Sequence, residues 1–392
     1  MQSKIAESSA VAGKSPAAFY VFCTSTFLSL LGTSCIAYFS VVFADYGMSA
    51  SEIGLILSSA LLPAVLGTLF CGSLLTRFSP FQIALAGQAL TLAAHVSFFA
   101  TISNPVGAAA SRFLVGAGFG LFFPAGLVYV RSLISGPNTV FMLGIYTTMI
   151  TLPNFFGPGI AEIIYRTSGV GPLLSAFAMP HILSLLLMRF LPRSTEPIRS
   201  SELLGYVAIL RTRSILMPNS AITIVGLMWG FMLSFMALYL EKVKIPATVF
   251  LSGATLSMLV SRVTIMAWLG KKPKHLISGL GLVLMGLGYA VLPICGSNPV
   301  AVGVSALVFG LGYSTVFPVA SVWATDQFDP AQRGRVTAVF TAFFQGAIFI
   351  VPWIAGAALK AFSFGEVLLT LAIASMIFGA YVMTGGSEEH MT

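Results

Sequence analysis

Three charged side chains stand inside long apolar stretches of this chain: Arg112, Glu162 and Arg262. An ionisable group in such a setting is costly and marks a ligand or ion pathway by default. A guanidinium offers a planar fork of donors that grips a carboxylate or phosphate with two parallel bonds. Two of them facing one interior would favour an anionic or zwitterionic small molecule. A carboxylate in a partly dry site can take up and release a proton, which makes Glu162 a candidate proton carrier. Each residue also has a structural alternative. Either arginine could extend its charge to the nearer membrane surface, and Glu162 could pair with Arg166, one helical turn away.

Other chemistries find little support. His95 and His181 have no partners at metal-ligand or triad spacing and read as packing residues. The four cysteines lie in or beside apolar runs without paired spacing, as small hydrophobes do. No phosphate-cradling GxxxxGK[ST] loop occurs, so ATP does not drive the chain directly. No cofactor or metal is expected. The net charge of +8 is spread over short loops and forms no nucleic-acid patch.

The elements that must position these groups are membrane helices. Apolar residues make up 57% of the 392 and charged residues only 8%, against roughly 25% charged in soluble domains. Such a chain cannot cover its surface against water, so its main solvent is lipid. A spanning helix needs about 20 apolar residues. Twelve segments qualify: 18–44, 51–75, 82–103, 105–130, 138–164, 170–191, 217–240, 247–269, 275–295, 299–324, 335–360 and 364–385. The runs are continuous rather than alternating, which excludes a barrel. Residues 1–17 lack a signal-peptide pattern, so the first helix is expected to be retained. The longest connection, 192–216, divides the chain into 1–191 and 217–392. Its stretch 201–213 is amphipathic with basic residues at the end, and predicts a short helix on the membrane surface. With both termini and this linker cytoplasmic, fourteen of the 20 Lys and Arg lie inside and four outside. That bias sets the orientation.

The chain is also a duplication. Arg112 to Pro124 matches Ala306 to Pro318, 194 positions on, with Gly116 and Gly118 copied as Gly310 and Gly312. Pro158 returns as Pro352 at the same offset. The copies differ where charge occurs: Arg112 corresponds to Ala306, Glu162 to Gly356, and Arg262 to Thr68. The charges are therefore additions to the repeated scaffold.

Arg112 followed by Gly116, Gly118 and Gly120 resembles the fourth-helix motif of the major facilitator superfamily. Gly144, Pro153, Gly157 and Pro158 are similar to the fifth-helix pattern of its exporters. Pro153 stands where that pattern has glycine, and Ala161 and Glu162 replace a glycine pair. The loop Gly72 to Arg77 resembles the family's second loop, with Thr76 in place of its acid, which puts the family's cytoplasmic charge latch in doubt. The resemblance implies an all-α membrane protein with twelve transmembrane helices in two pseudo-symmetric six-helix bundles. It implies a site between the bundles near the midplane, formed by the first, fourth, seventh and tenth helices. Candidates there are Arg112, Arg262, Tyr38, Trp229, Tyr313 and Gln345, with Ser34. Glu162 is the candidate for proton coupling, while Gly116, Gly118, Gly120, Gly157 and Pro158 serve packing and gating.

The expected activity is secondary transport by alternating access, with export of a small anionic or amphipathic organic compound in exchange for protons. An importer coupled to protons or an uncoupled facilitator is the alternative. A non-transporting receptor or scaffold would instead have a filled interior. An intramembrane enzyme would need a buried nucleophile and base that the sequence does not offer. Expected partners are the small molecule, protons and lipid, with no nucleic acid, for a monomer in a bacterial inner membrane. Labelling of a Gly205→Cys variant only from the cytoplasmic side is the outcome that fits this orientation. Labelling from outside would overturn it.

Overall fold

The computed structural model describes residues 16–134, 139–193, 205–264, 272–329 and 332–384. Lys4, Lys14, Arg199, Lys271, residues 265–269 at the end of the expected eighth segment and residues 201–204 lie outside the described residues. Of the expected surface helix, the described part is helical only over Tyr206–Leu210.

The described residues fold as helices joined by short turns. They are α1 (Pro16–Asp45), α2 (Ala50–Leu74), α3 (Pro80–Thr101), α4 (Pro105–Leu133), α6 (Val170–Met188), α7 (Arg213–Lys242), α9 (Lys274–Cys295), α10 (Pro299–Asp326), α11 (Arg333–Ala358) and α12 (Phe364–Thr384). These ten are long and apolar enough to cross a membrane. α8 is Ala247–Thr264. α5 is split into Thr139–Thr151 and Pro153–Ser168. Pro153 has no N–H for the preceding turn, so α5 breaks at Leu152. The start of α1, the end of α12 and the linker helix share one face, called here the linker face; Asp45, Ser168 and Lys242 lie at the far face.

Local sequence sets the helix starts. Asn104 accepts from the N–H groups of Val106 and Gly107, both at 3.0 Å. Its repeat partner Asn298 accepts from Val300 and Ala301 at 3.0 and 3.2 Å. Pro105 and Pro299 occupy the first helical position after these caps. Ser49 with Glu52, and Ser79 with Gln82, close capping boxes on α2 and α3.

Packing repeats with the sequence. Lipid tails are as apolar as leucine, so close backbone approach, not burial, draws membrane helices together. Gly116 on α4 lies against the carbonyl of Ala60 on α2, and Gly310 on α10 against that of Ala254 on α8. Gly118 lies against Gly87 of α3, and Gly312 against Gly281 of α9. Helices α1–α6 form one bundle and α7–α12 the other. The bundles meet through α2 with α11, α5 with α8, and α1 with α7.

Gly116→Val should separate α2 from α4. A loss of at least about 2 kcal/mol is expected from overpacking, read as a lowered Tm in detergent. Gly144→Ala meets nothing within 4 Å and should be neutral or slightly stabilising.

Candidate functional site

A cavity of about 260 Å³ lies between the bundles. Arg112, Arg262, Trp229, Tyr313, Gln345 and Ser34 line it. Depth follows from helix rise, about 1.5 Å per residue. Arg262 on α8, Trp229 on α7, Tyr313 on α10, Gln345 on α11 and Asn154 on α5 stand about 20–22 Å from the far ends of their helices. They form one layer near the midplane. Arg112 stands only about 10 Å from the far end of α4.

The two arginines are therefore in different surroundings. Arg262 Nη1 donates to Thr151 Oγ1 at 3.1 Å. Arg112 is buried at 8% exposure, donates from Nε to the carbonyl of Leu57 at 3.4 Å, and lies over the Phe349 ring at 5.5 Å. Neither has a carboxylate partner among the described residues. Nor do the described lining residues include a carboxylate. Both guanidiniums thus keep donors for a ligand.

The walls differ in chemistry. Thr33 and Ser34 of α1 and Thr147, Thr151 and Asn154 of α5 give one side hydroxyls and an amide. The other carries rings: Trp229 packs on Tyr313 at 4.4 Å between centroids, Tyr313 stacks on Phe317 at 6.0 Å, and Phe317 meets Phe344 at 5.0 Å. Thr68, the repeat partner of Arg262, donates to Gln345 Oε1 at 2.7 Å and ties α2 to α11.

The cavity is sealed toward the far face. Gly54 lies against the Pro352 carbonyl and Gly356 against that of Ala50, so α2 and α11 touch through backbone. The Trp353 N–H donates to Ser58 Oγ at 2.8 Å. Ser252 of α8 donates to the carbonyl of Phe155 on α5 at 2.6 Å. Above these contacts Arg166 of α5 pairs with Glu241 of α7 and, at 3.2 Å, with Glu162. In the other direction the lining continues through Phe123, Thr147 and Thr341 toward the linker face, where Thr147 is exposed.

Two candidates fall elsewhere. Glu162 does not line the cavity; it is held by Arg166 in the far-face cluster, with Oε2 buried and unpartnered among the described residues. Tyr38 is also in that outer layer, edge-on to Tyr165 at 5.9 Å, while Tyr165 donates to Asp45 at 2.8 Å. α1 changes to a tighter 3-10 turn over Cys35–Tyr38, which turns Tyr38 off the cavity side. Gly157 lies against Ser34 of α1. Pro158 is buried in the same helix, and Gly120 lies so close to the Ala64 carbonyl that an added Cβ would clash with it. His181 bonds Ser29 Oγ at 2.9 Å, and His95 packs on Phe177 inside the first bundle, away from the cavity. Asn154, Thr151, Thr147, Phe317, Phe344 and Phe349 were not among the sequence candidates. Thr147, Thr151 and Asn154 carried a signal, since four- and three-residue spacing puts polar groups on one face of an apolar helix.

Twelve helices in two repeated bundles about a central, half-polar cavity define a multi-pass membrane carrier. The chain belongs to the Major Facilitator Superfamily, whose model matches residues 22–308 and 248–389. No curated protein sequence matches it. Among solved structures it is similar to the nucleoside transporter NupG, at 15% identity and TM-score 0.74, over 93% of this chain and 98% of that one. It is similar to a D-xylose–proton symporter at 16% identity and TM-score 0.76, over 93% and 96%. It is also similar to the peptide transporter POT in complex with alafosfalin, at 14% identity and TM-score 0.77, over 94% of each chain. At these identities the likeness is one of fold.

Surface ion pairs contribute about 0–1 kcal/mol. Glu241→Gln should therefore raise labelling of a cysteine at position 57 from the far side by about two- to fivefold. Gly54→Val, which wedges α2 from α11, should raise it further. An unchanged rate in both would mean that neither contact closes this face.

Proposed function

We propose that this protein is a secondary transporter that carries a small organic anion by alternating access. The supporting observation is a midplane cavity with two guanidiniums and no carboxylate among its described lining residues. At about 260 Å³ it falls below the roughly 300–1,000 Å³ of drug-sized pockets, which suits a metabolite-sized ligand. Residues 1–191 and 217–392 are the rocking bodies, joined by 192–216. With the linker face cytoplasmic, as the Lys and Arg bias favours, the cavity is sealed outside and loads from within. A bacterial inner membrane and a monomeric carrier complete this reading.

Export is the preferred direction. It rests on the fifth-helix pattern, whose Gly157 lets α5 approach Ser34 of α1. Exchange against protons would use Glu162, the carboxylate next to the closed outer gate. A second reading, a proton-coupled importer or an uncoupled facilitator, is favoured by the pairing of Glu162 with Arg166 away from the cavity. The similar structures include one named as a proton symporter of D-xylose.

Loss of a charged hydrogen bond is worth about 1.5–3 kcal/mol. Arg262→Gln should then raise the apparent KM for anions about ten- to hundredfold in proteoliposomes and leave neutral compounds unaffected. Arg112→Ala should abolish transport, with Arg112→Lys rescuing poorly. Equal effects of Arg262→Gln on anions and neutral solutes would overturn the anion reading. Proton flux measured beside substrate flux, in wild type and Glu162→Gln, decides the coupling. A loss of gradient-driven transport in the variant supports exchange through Glu162, and unchanged stoichiometry removes Glu162 from the mechanism.

A further inference from the structure

The cavity does more than select charge. Its midplane layer places Arg262 at the same depth as Trp229 and Tyr313, about 20–22 Å below the far face. The Thr151 hydroxyl orients the guanidinium at 3.1 Å. Beside it runs a ring surface on α7, α10 and α11. Trp229 and Tyr313 are tilted by 33° at 4.4 Å, and Tyr313 and Phe317 are near parallel at 14°. Leucine or isoleucine would fill the same space with equal hydrophobicity. Rings differ from them in offering flat faces to another ring. The opposite wall, from α1 and α5, sets the hydroxyls of Thr33, Ser34, Thr147 and Thr151 and the amide of Asn154 among Leu30, Ile36 and Ile150. It offers polar contacts to the edge of a flat molecule and no second ring surface.

We propose that the cargo is a planar aromatic anion, with its carboxylate on the remaining donors of Arg262 and its ring against Trp229, Tyr313 and Phe317. This rests on the organic-anion reading above and narrows it. Arg112, about 10 Å nearer the far face, lies one layer above the ring and is not its primary anchor. Its neighbours Leu57 and Phe349 belong to helices α2 and α11, which close the gate. A single carboxylate therefore suffices for binding, and a bulky aliphatic acid of the same charge is disfavoured by shape and by loss of ring contacts.

The test is equilibrium dialysis of the purified full-length protein with radiolabelled benzoate, against cyclohexanecarboxylate and benzylamine as competitors. Benzoate should bind about tenfold more tightly than cyclohexanecarboxylate, the size of two ring contacts, and benzylamine should not compete. Trp229→Leu should bring the two acids to within about twofold of each other. Trp229→Phe, which keeps a ring, should retain most of the preference and guards against a folding defect. Arg262→Gln should weaken both acids together. Equal affinity for the two acids in the wild type, still lost in Arg262→Gln, would overturn the aromatic cargo and leave the organic-anion carrier standing. No saturable binding of either acid at millimolar ligand, or binding indifferent to Arg262→Gln, would overturn the anion reading itself.

Discussion

Contact between glycine and a neighbouring backbone carbonyl is what the rest of this structure depends on. In lipid, burying a leucine against another leucine gains little over leaving it in the tails. The helices must gain from dispersion at close range, and only residues without side chains permit that range. Gly116 on Ala60 and Gly310 on Ala254 fix the second helix of each half on its fourth. Gly118 on Gly87 and Gly312 on Gly281 fix the third on the fourth. Once these seams are set, the faces left over on α1, α5, α7, α10 and α11 point into a common space. The cavity is where the seams are not.

The duplication also explains where charge was free to appear. The α2–α11 seam at the far face brings Gly356 against Ala50 and Gly54 against Pro352. No side chain fits there, so the second copy keeps glycine. The related α5–α8 seam is looser: Gly159 meets only the side chain of Thr248. Glu162, one turn further on, has room for a carboxylate and an arginine partner. Likewise Ala306 is fully buried against α8, whereas Arg112 reaches the cavity. Two geometrically related positions thus differ because the two halves do not press on each other equally.

The helices were legible because membrane-length apolar runs have few alternative structures. The repeat was legible because seam glycines leave no freedom to drift. Arg112 and Arg262 stood out because a charge in an apolar run is rare. Tyr38 was expected at the cavity, and the 3-10 turn that rotates the end of α1 is an event no periodicity records. The pairing of Glu162 with Arg166 was legible as an alternative, because the two stand one helical turn apart. The phenylalanine wall was hidden for a different reason. In a helix that is apolar all round, Phe344 in the cavity and its exposed neighbour Phe343 look alike.

The grip on a ligand is lopsided. Arg262, Trp229, Tyr313, Phe317 and Gln345 all belong to α7–α11; at that depth the first bundle adds hydroxyls and an amide from α1 and α5, while its Arg112 stands about 10 Å nearer the far face. Rocking then moves a lid past a nearly complete half-site rather than splitting the site in two. A ligand held this way keeps most of its contacts in either orientation of the carrier. Its dissociation constant on the two sides of the membrane would be nearly the same, so net direction would follow the concentrations and any coupled ion rather than a built-in difference in affinity.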